Sequence, residues 1–281
     1  MISIENLKRH VQNIHYDRNP YDRYSQLEQA AQYIREEFLG IGLEVQEDYF
    51  LWEGRPFKNI VAGKKGTTAQ EKTFIVGAHY DAVRGSPGAD DNASAVAVLL
   101  EIAGLIQTVP LGFTVKWIAF SLEEVDYGGS SHYAKKAKER GEKILGMISL
   151  EMVGFTGPRQ DYPSYLNPKY YPQTGDFIGI VGNERSRSLL ESVRQSFKTH
   201  IPQLPLESLL IPGRGEGMEE VRLSDHSPFW DQGFSALMVT DTAFLRNPNY
   251  HLPSDTMETL DFEFMRKVAV GIFHSIVDLA R

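Results

Sequence analysis

The 281-residue sequence contains no cysteine, which excludes disulfides and thiolate metal ligands together. Any metal this chain holds must therefore sit on His, Asp and Glu. Basic residues are in the minority, 29 Lys and Arg against 37 Asp and Glu, for a net charge of -8. The densest basic run, Lys135-Lys136-Ala137-Lys138, reads as a solvated helix face, so a nucleic-acid partner is not expected. Long apolar runs are absent as well. The opening MISIENLKRHVQNIHYDRN is broken by charge throughout and does not read as a signal peptide, and no later stretch has the length of a membrane span. A soluble cytoplasmic protein with no membrane partner is the expectation, with secretion left open for a chain whose leader has been trimmed. Oligomeric state is left open.

With 42% hydrophobic residues the chain can build a sizeable core, and no linker or repeat divides it, so one domain spanning 1–281 is expected. Ser3 ahead of Asn6, Leu7, Val11 and Ile14 marks a first amphipathic helix. Ser25-Gln26-Leu27-Glu28 has capping-box spacing, and Leu27, Ala30, Ala31, Ile34 and Phe38 continue at helical spacing to a stop at Gly40 and Gly42. Strands are expected over 43–51 and 57–62, with 64–72 as a polar hairpin turn into a buried strand that runs from residue 74 and ends at His79. A buried helix over 93–106, a strand over 113–121, a helix over 130–140 and a strand over 144–150 follow. The segment 155–176 carries several Tyr and Pro residues without a period. It is too long for an ordinary connection, which points to an ordered flap or pocket wall. Beyond it the pattern predicts a strand over 177–181, a helix over 186–197, a glycine-rich loop over 211–220, a short helix over 225–231, a strand over 236–240 and a closing helix over 262–279. This alternation implies a three-layer α/β/α sandwich around a mainly parallel, mixed sheet.

The informative feature is where charged residues fall on that frame. His79, Glu123-Glu124 and Glu151 each stand just past the end of a separate apolar strand. In a parallel sheet those ends share one edge, and ligands bind there. Asp91 reaches the edge from the loop after the first of these strands, and His251 from the loop after 236–240. His79, Asp91, Glu124, Glu151 and His251 form a set of nitrogen and oxygen donors suited to zinc or a similar divalent ion. Five ligands exceed the three that a catalytic zinc ordinarily takes from protein, so two metals sharing one carboxylate, roughly 3.5 to 4 Å apart, account for the surplus. Asp91 is the best bridge because it leaves one histidine for each side. Adjacent residues on a strand face opposite ways, so both glutamates serve the site only if the strand ends there, and Val125-Asp126-Tyr127-Gly128-Gly129 supplies the turn. One glutamate can then ligate while the other faces water as a general base.

Six motifs in order, GAHYDAV, PGADDNAS, FSLEEVDYGGSSHY, ISLEMVG, SDHSPFW and YHLPSDT, resemble those of the M28 zinc aminopeptidases from about residue 74 to residue 260. The resemblance implies a zinc-exopeptidase-like fold with two co-catalytic Zn2+ ions, Co2+ or Mn2+ being substitutes, acting on peptides with a free N-terminus. Carried over position by position, it implies that His79 binds one metal, Asp91 bridges, Glu123 is the base, Glu124 and Glu151 ligate, and His251 holds the other metal. Asp81 would be the partner of the His79 ring. Glu151 departs from the pattern, since many members have Asp there, and its arm is one methylene longer. Tyr250 stands where some relatives use a phenol to stabilise the tetrahedral oxyanion, and its other reading is a pocket-lining aromatic. No additional protease-associated domain is visible. The same fold serves single-zinc glutaminyl-peptide cyclotransferases, and a non-catalytic binding module is a further alternative; Asn92 and Tyr250 favour the peptidase.

Other residues take more ordinary readings. Ser224-Asp225 ahead of a helical run reads as a cap, Asp255 as a group that orients His251 or caps the next turn, and His132 as structural. Arg214 and Glu216 read as exposed loop charges. Tyr127, Phe155, Phe229 and Phe244 are candidates for an apolar pocket or for core.

Overall fold

The apolar run that begins at Phe74 has no polar face to offer solvent, and the chain buries it on both sides as the C-terminal half of strand β3 (Ala69–His79). The other strands are β1 (Glu44–Trp52), β2 (Arg55–Lys64), β4 (Phe113–Phe120), β5 (Lys143–Glu151), β6 (Ile178–Asn183), β7 (Leu206–Ile211) and β8 (Ala236–Thr240). In this computed structural model, which describes residues 1–280, they form one eight-stranded sheet ordered β1-β2-β4-β3-β5-β8-β6-β7. Strands β4, β3, β5 and β8 run parallel to one another, β6 and β7 run parallel as a pair, and the β1/β2, β2/β4 and β6/β8 contacts are antiparallel.

The helices are α1 (Ile4–Ile14), α2 (Tyr24–Gly40), α3 (Ala95–Ile106), α4 (Gly128–Glu139), α5 (Arg187–His200), α6 (His226–Asp231) and α7 (Phe262–Leu279). Helices α1, α2, α3, α5 and α7 pack one core on one side of the sheet, with Leu7, Ile34, Leu99, Val193 and Ile272 fully buried. On the other side α4 and α6 enclose a second core around Tyr133, Phe229 and Trp230. Sheet and helices thus make the three layers and the mixed, mainly parallel sheet that the sequence implies. No described helix is long and apolar enough to cross a membrane.

Three local expectations change. First, the segment 64–72 is not a hairpin turn, because β4 lies between β2 and β3. The buried run of β3 needs a strand on each edge and takes β4 and β5, while β2 pairs on the far edge of β4. Lys64 is drawn away from any turn: its ammonium donates to the carbonyls of Ile106 and Gln107 at 2.7 Å each, capping the negative end of α3. Second, α2 starts at Tyr24 without a side-chain cap, and the Ser25 hydroxyl bonds Gln26 instead, so the capping box does not form. A tertiary contact sets that start: Tyr24 packs edge-on against Phe57 at 5.4 Å and donates to the Pro56 carbonyl. Third, β7 lies where no strand is expected. It is a half-buried edge strand of six residues, and its apolar pattern is too short and irregular to declare itself.

The turn after β4 has to be tight for the two glutamates to reach the sheet edge. Leu122, Asp126 and Tyr127 take positive φ, and the Gly129 amide donates back to the Ser121 carbonyl at 2.8 Å. A β-carbon on Gly129 would overlap the Asn59 side chain and the Ser121 carbonyl. Gly129→Ala is expected to destabilise the fold by about 1–3 kcal/mol, read as a lower urea midpoint at unchanged m-value; an unaltered midpoint would mean the turn has slack.

Candidate metal centre

Four strands end at one edge, and each delivers its chemistry there. His79 is the last residue of β3 and Glu151 the last of β5. Glu123 and Glu124 follow β4 after a left-handed Leu122, and His251, itself at φ 60°, comes from the loop beyond β8. Asp91 arrives in the π-type turn Ala89–Ser94 between β3 and α3. All the expected site residues are brought together.

The carboxylate of Asp91 lies between the two histidines. Its Oδ1 is 3.2 Å from His79 Nε2, and its Oδ2 is 3.2 Å from His251 Nε2. Glu151 Oε1 approaches His79 Nε2 at 3.5 Å, while Glu124 Oε2 approaches His251 Nε2 at 3.4 Å. The donors fall into three overlapping groups: His79-Asp91-Glu151 and Asp91-Glu124-His251, which share Asp91, and His79-Glu123-Glu124. Glu123 Oε2 stands 3.9 Å from His79 Nε2, alongside the two groups that share Asp91. The extra methylene of Glu151 does not take it out of reach; its second oxygen accepts from Ser224 Oγ at 2.8 Å, which pins the longer arm.

Backbone and buried polar contacts hold these candidate donors in place. Asp81 accepts from the amides of Glu123 and Glu124 at 3.1 Å each and lies 3.5 Å from His79 Nδ1, so one buried carboxylate orients the imidazole and both glutamates. The carboxamide of Asn92 brackets Glu151, donating to the Leu150 carbonyl and accepting from the Met152 amide. Asp90 accepts from Gly154 N and from Asn247 Nδ2, tying the turn to the chain after Glu151 and to the loop that carries His251. Arg18, fully buried, donates to the carbonyls of Tyr80, Pro87 and Gly88 at 2.6 to 3.0 Å.

Electrostatics and unmet bonding match a cation. Burial, and then the charge of Asp91, raise the Glu124 carboxyl to about 7. Burial likewise drives Glu123 well above the carboxylate range. Against burial, contacts with Asp91 and Glu124 raise His251 to about 10. His79 Nε2, His251 Nε2, Asp91 Oδ1 and Glu124 Oε1 are buried and make no hydrogen bond among the described residues. Buried polar atoms without partners are rare, and these four converge, so the residues present fit divalent metal.

Residues 59–276 match the model of peptidase family M28. The chain belongs to that family. This M28 chain is 35% identical over 268 residues to the uncharacterized protein YfbL of Escherichia coli, covering 89% of the chain and 80% of that protein. It is 30% identical over 215 residues to aminopeptidase YwaD of Bacillus subtilis, covering 75% of the chain but 42% of that protein. Among solved structures, BSAP, a zinc aminopeptidase from Bacillus subtilis, superposes with TM-score 0.63 at 26% identity, over 82% of this chain and 52% of that one. A glutaminyl cyclase from Porphyromonas gingivalis superposes with TM-score 0.72 at 18% identity over 99% of both chains, a likeness of fold.

Several of the ordinary readings change. Asp225 precedes α6 but makes no side-chain cap; it is fully buried, and burial raises it to about 7, an effect the His79 charge opposes. Ser224 bonds Glu151, not the helix end. Asp255 does not orient His251; it accepts from the amides of Asp90 and Asp91 at 2.9 and 3.1 Å and so supports the shared carboxylate. His132 stacks on Phe50 as a structural residue, and Arg214 pairs with Glu216 on the surface. Of the four pocket aromatics, Phe244 lines the cavity beside the site, whereas Phe229 is core. Arg18, Asn92, Asp90 and Ser224 carry the support. For Arg18 no signal distinguishes it from Arg23 in the same polar stretch.

If these donors bind metal, removal will be felt by the fold. Chelation is expected to lower the melting temperature by roughly 5 to 10 °C, and zinc at about a hundred times its Kd to restore it. His79→Ala should lose the zinc-dependent part of that shift; a shift of full size in the variant would contradict the donor set.

Proposed function

We propose that the chain is a dizinc aminopeptidase that releases the N-terminal residue of peptides. The observation that carries this reading is the placing of the two oxygens of Asp91 toward His79 on one side and His251 on the other, each with its own glutamate. His79, Asp91 and Glu151 would hold one zinc, and Asp91, Glu124 and His251 the other. Zinc, when bound, supplies Lewis-acid polarisation of the scissile carbonyl and lowers the pKa of water to about 7.

Glu123 takes the proton of the attacking water and returns it to the leaving amine. Its backbone is fixed by Asp81, so the carboxyl is aimed before substrate arrives. Tyr250 stacks on the His251 ring at 3.7 Å, and burial together with the surrounding carboxylates pushes its phenol far above its usual range. The hydroxyl therefore stays protonated and can donate to the developing oxyanion. The five carboxylates Asp81, Asp91, Glu123, Glu124 and Glu151 would exceed the charge of two zinc ions, which favours a free α-ammonium and hence exopeptidase action.

Glu123→Gln should keep its zinc by elemental analysis while kcat on aminoacyl anilides falls by about 10²–10⁴-fold. A fully active, zinc-loaded variant would rule Glu123 out as the base. Glutaminyl-peptide cyclisation needs one metal and would leave one of the two donor groups that share Asp91 without a purpose. Ammonia and pyroglutamate from an N-terminal glutaminyl peptide would overturn the peptidase reading, and a freed glutamine would support it.

A further inference from the structure

A cavity of about 120 Å³ adjoins the metal centre, with Glu151 and Tyr250 among its walls. Its floor can be read from the sheet register. Glu151 of β5 lies beside Thr240 of β8, Thr240 beside Gly179 of β6, and Gly179 beside Glu207 of β7. These four residues form one row across the sheet, and partners in register project to the same face. Three strand spacings separate the ends, so the backbones of Glu151 and Glu207 are about 14 Å apart.

The two residues between them are small. A β-carbon on Gly179 would crowd the Thr240 carbonyl at 3.2 Å, and glycine leaves this stretch of floor clear. The row is a trough with a carboxylate at each end. Over it lie Tyr162, Tyr165 and Tyr171 from the segment 155–176, which is the pocket wall its composition implies. Phe244 and Tyr250 close the side toward His251.

Three carboxylates line the cavity: Glu151 belongs to the metal centre and Glu220 bonds Tyr165, which leaves Glu207 unexplained. It is half-buried, burial raises its pKa, and its side chain makes no hydrogen bond or ion pair among the described residues. Lys198, the cation that opposes the shift, is exposed and does not reach ion-pair distance. A carboxylate held in an aromatic trough without a partner is unfavourable. A cation on a long apolar stem answers both features, because the stem lies against the walls while the head meets the carboxylate and the tyrosine faces.

We propose that this cavity receives the side chain of the substrate's N-terminal residue and that Glu207 at its far end selects arginine or lysine. The assignment rests on the aminopeptidase reading for which residue enters, but the cavity's preference for a cation can be measured without hydrolysis. Titration calorimetry with L-arginine and its neutral isostere L-citrulline, on the zinc-loaded wild type and on Glu207→Gln, reads it directly. Arginine should bind the wild type about tenfold or more tighter than citrulline, and in Glu207→Gln the ratio should fall toward one. Because the readout is a ratio within one preparation, loss of folded protein does not mimic it. Equal binding of the two ligands by the wild type, or an undiminished ratio in Glu207→Gln, would overturn the proposal. Arginyl and leucyl anilides complete the test. Faster release of arginine supports both readings, preference for leucine with no arginine selectivity in binding defeats the subsite alone, and selective binding with no anilide hydrolysed defeats the aminopeptidase reading while the cation subsite stands.

Discussion

Two imidazoles converge on the two oxygens of one buried carboxylate, and the rest of the edge is built to make that arrangement tolerable. Asp91 is 4% exposed, and a carboxylate so placed is costly unless positive charge compensates it. His79 and His251 draw its pKa below the usual range, in spite of burial. Burial, aided by the neighbouring carboxylates, pushes Glu123 and Glu124 the other way. Carboxyls shifted in opposite senses within one cleft mark a functional-site candidate.

Placing Asp91 is a problem of backbone, not of side chain. The turn that carries it is held from three directions: Asp255 receives its amides, Arg18 takes the carbonyls of the loop leading into it, and Asn92 stitches it to the end of β5. Asp90 then joins the turn to the loop that ends in His251. A shift of any of these elements moves a candidate metal donor. This explains why so many fully buried polar residues sit around the edge when the two cores away from it are apolar.

Much of this was legible from the chain. Period and length marked the core strands, and the recurrence of His or Glu just beyond apolar runs located the site, because strand ends in a parallel sheet share an edge. What stayed hidden depends on tertiary neighbours. The insertion of β4 beside β3 cannot be read from a polar segment that looks like a turn. Ser224-Asp225 looks like a cap because local rules reward it, yet Glu151 competes for the serine and wins. Arg18 acts from a stretch that precedes residues 59–276, and a lone arginine in a polar loop announces nothing. Glu207 was invisible for a related reason: its meaning comes from a register across three strands.

The Asp91 carboxylate faces a histidine on each side, and the trough toward Glu207 leaves from the side that contains Glu151. The measurement that bears most directly on this is anomalous diffraction at the zinc edge from crystals of the zinc-loaded protein. Two peaks are predicted, one against His79 and Glu151 and the other against Glu124 and His251, with an oxygen of Asp91 at each. A single peak, or two peaks without Asp91 between them, would contradict the account.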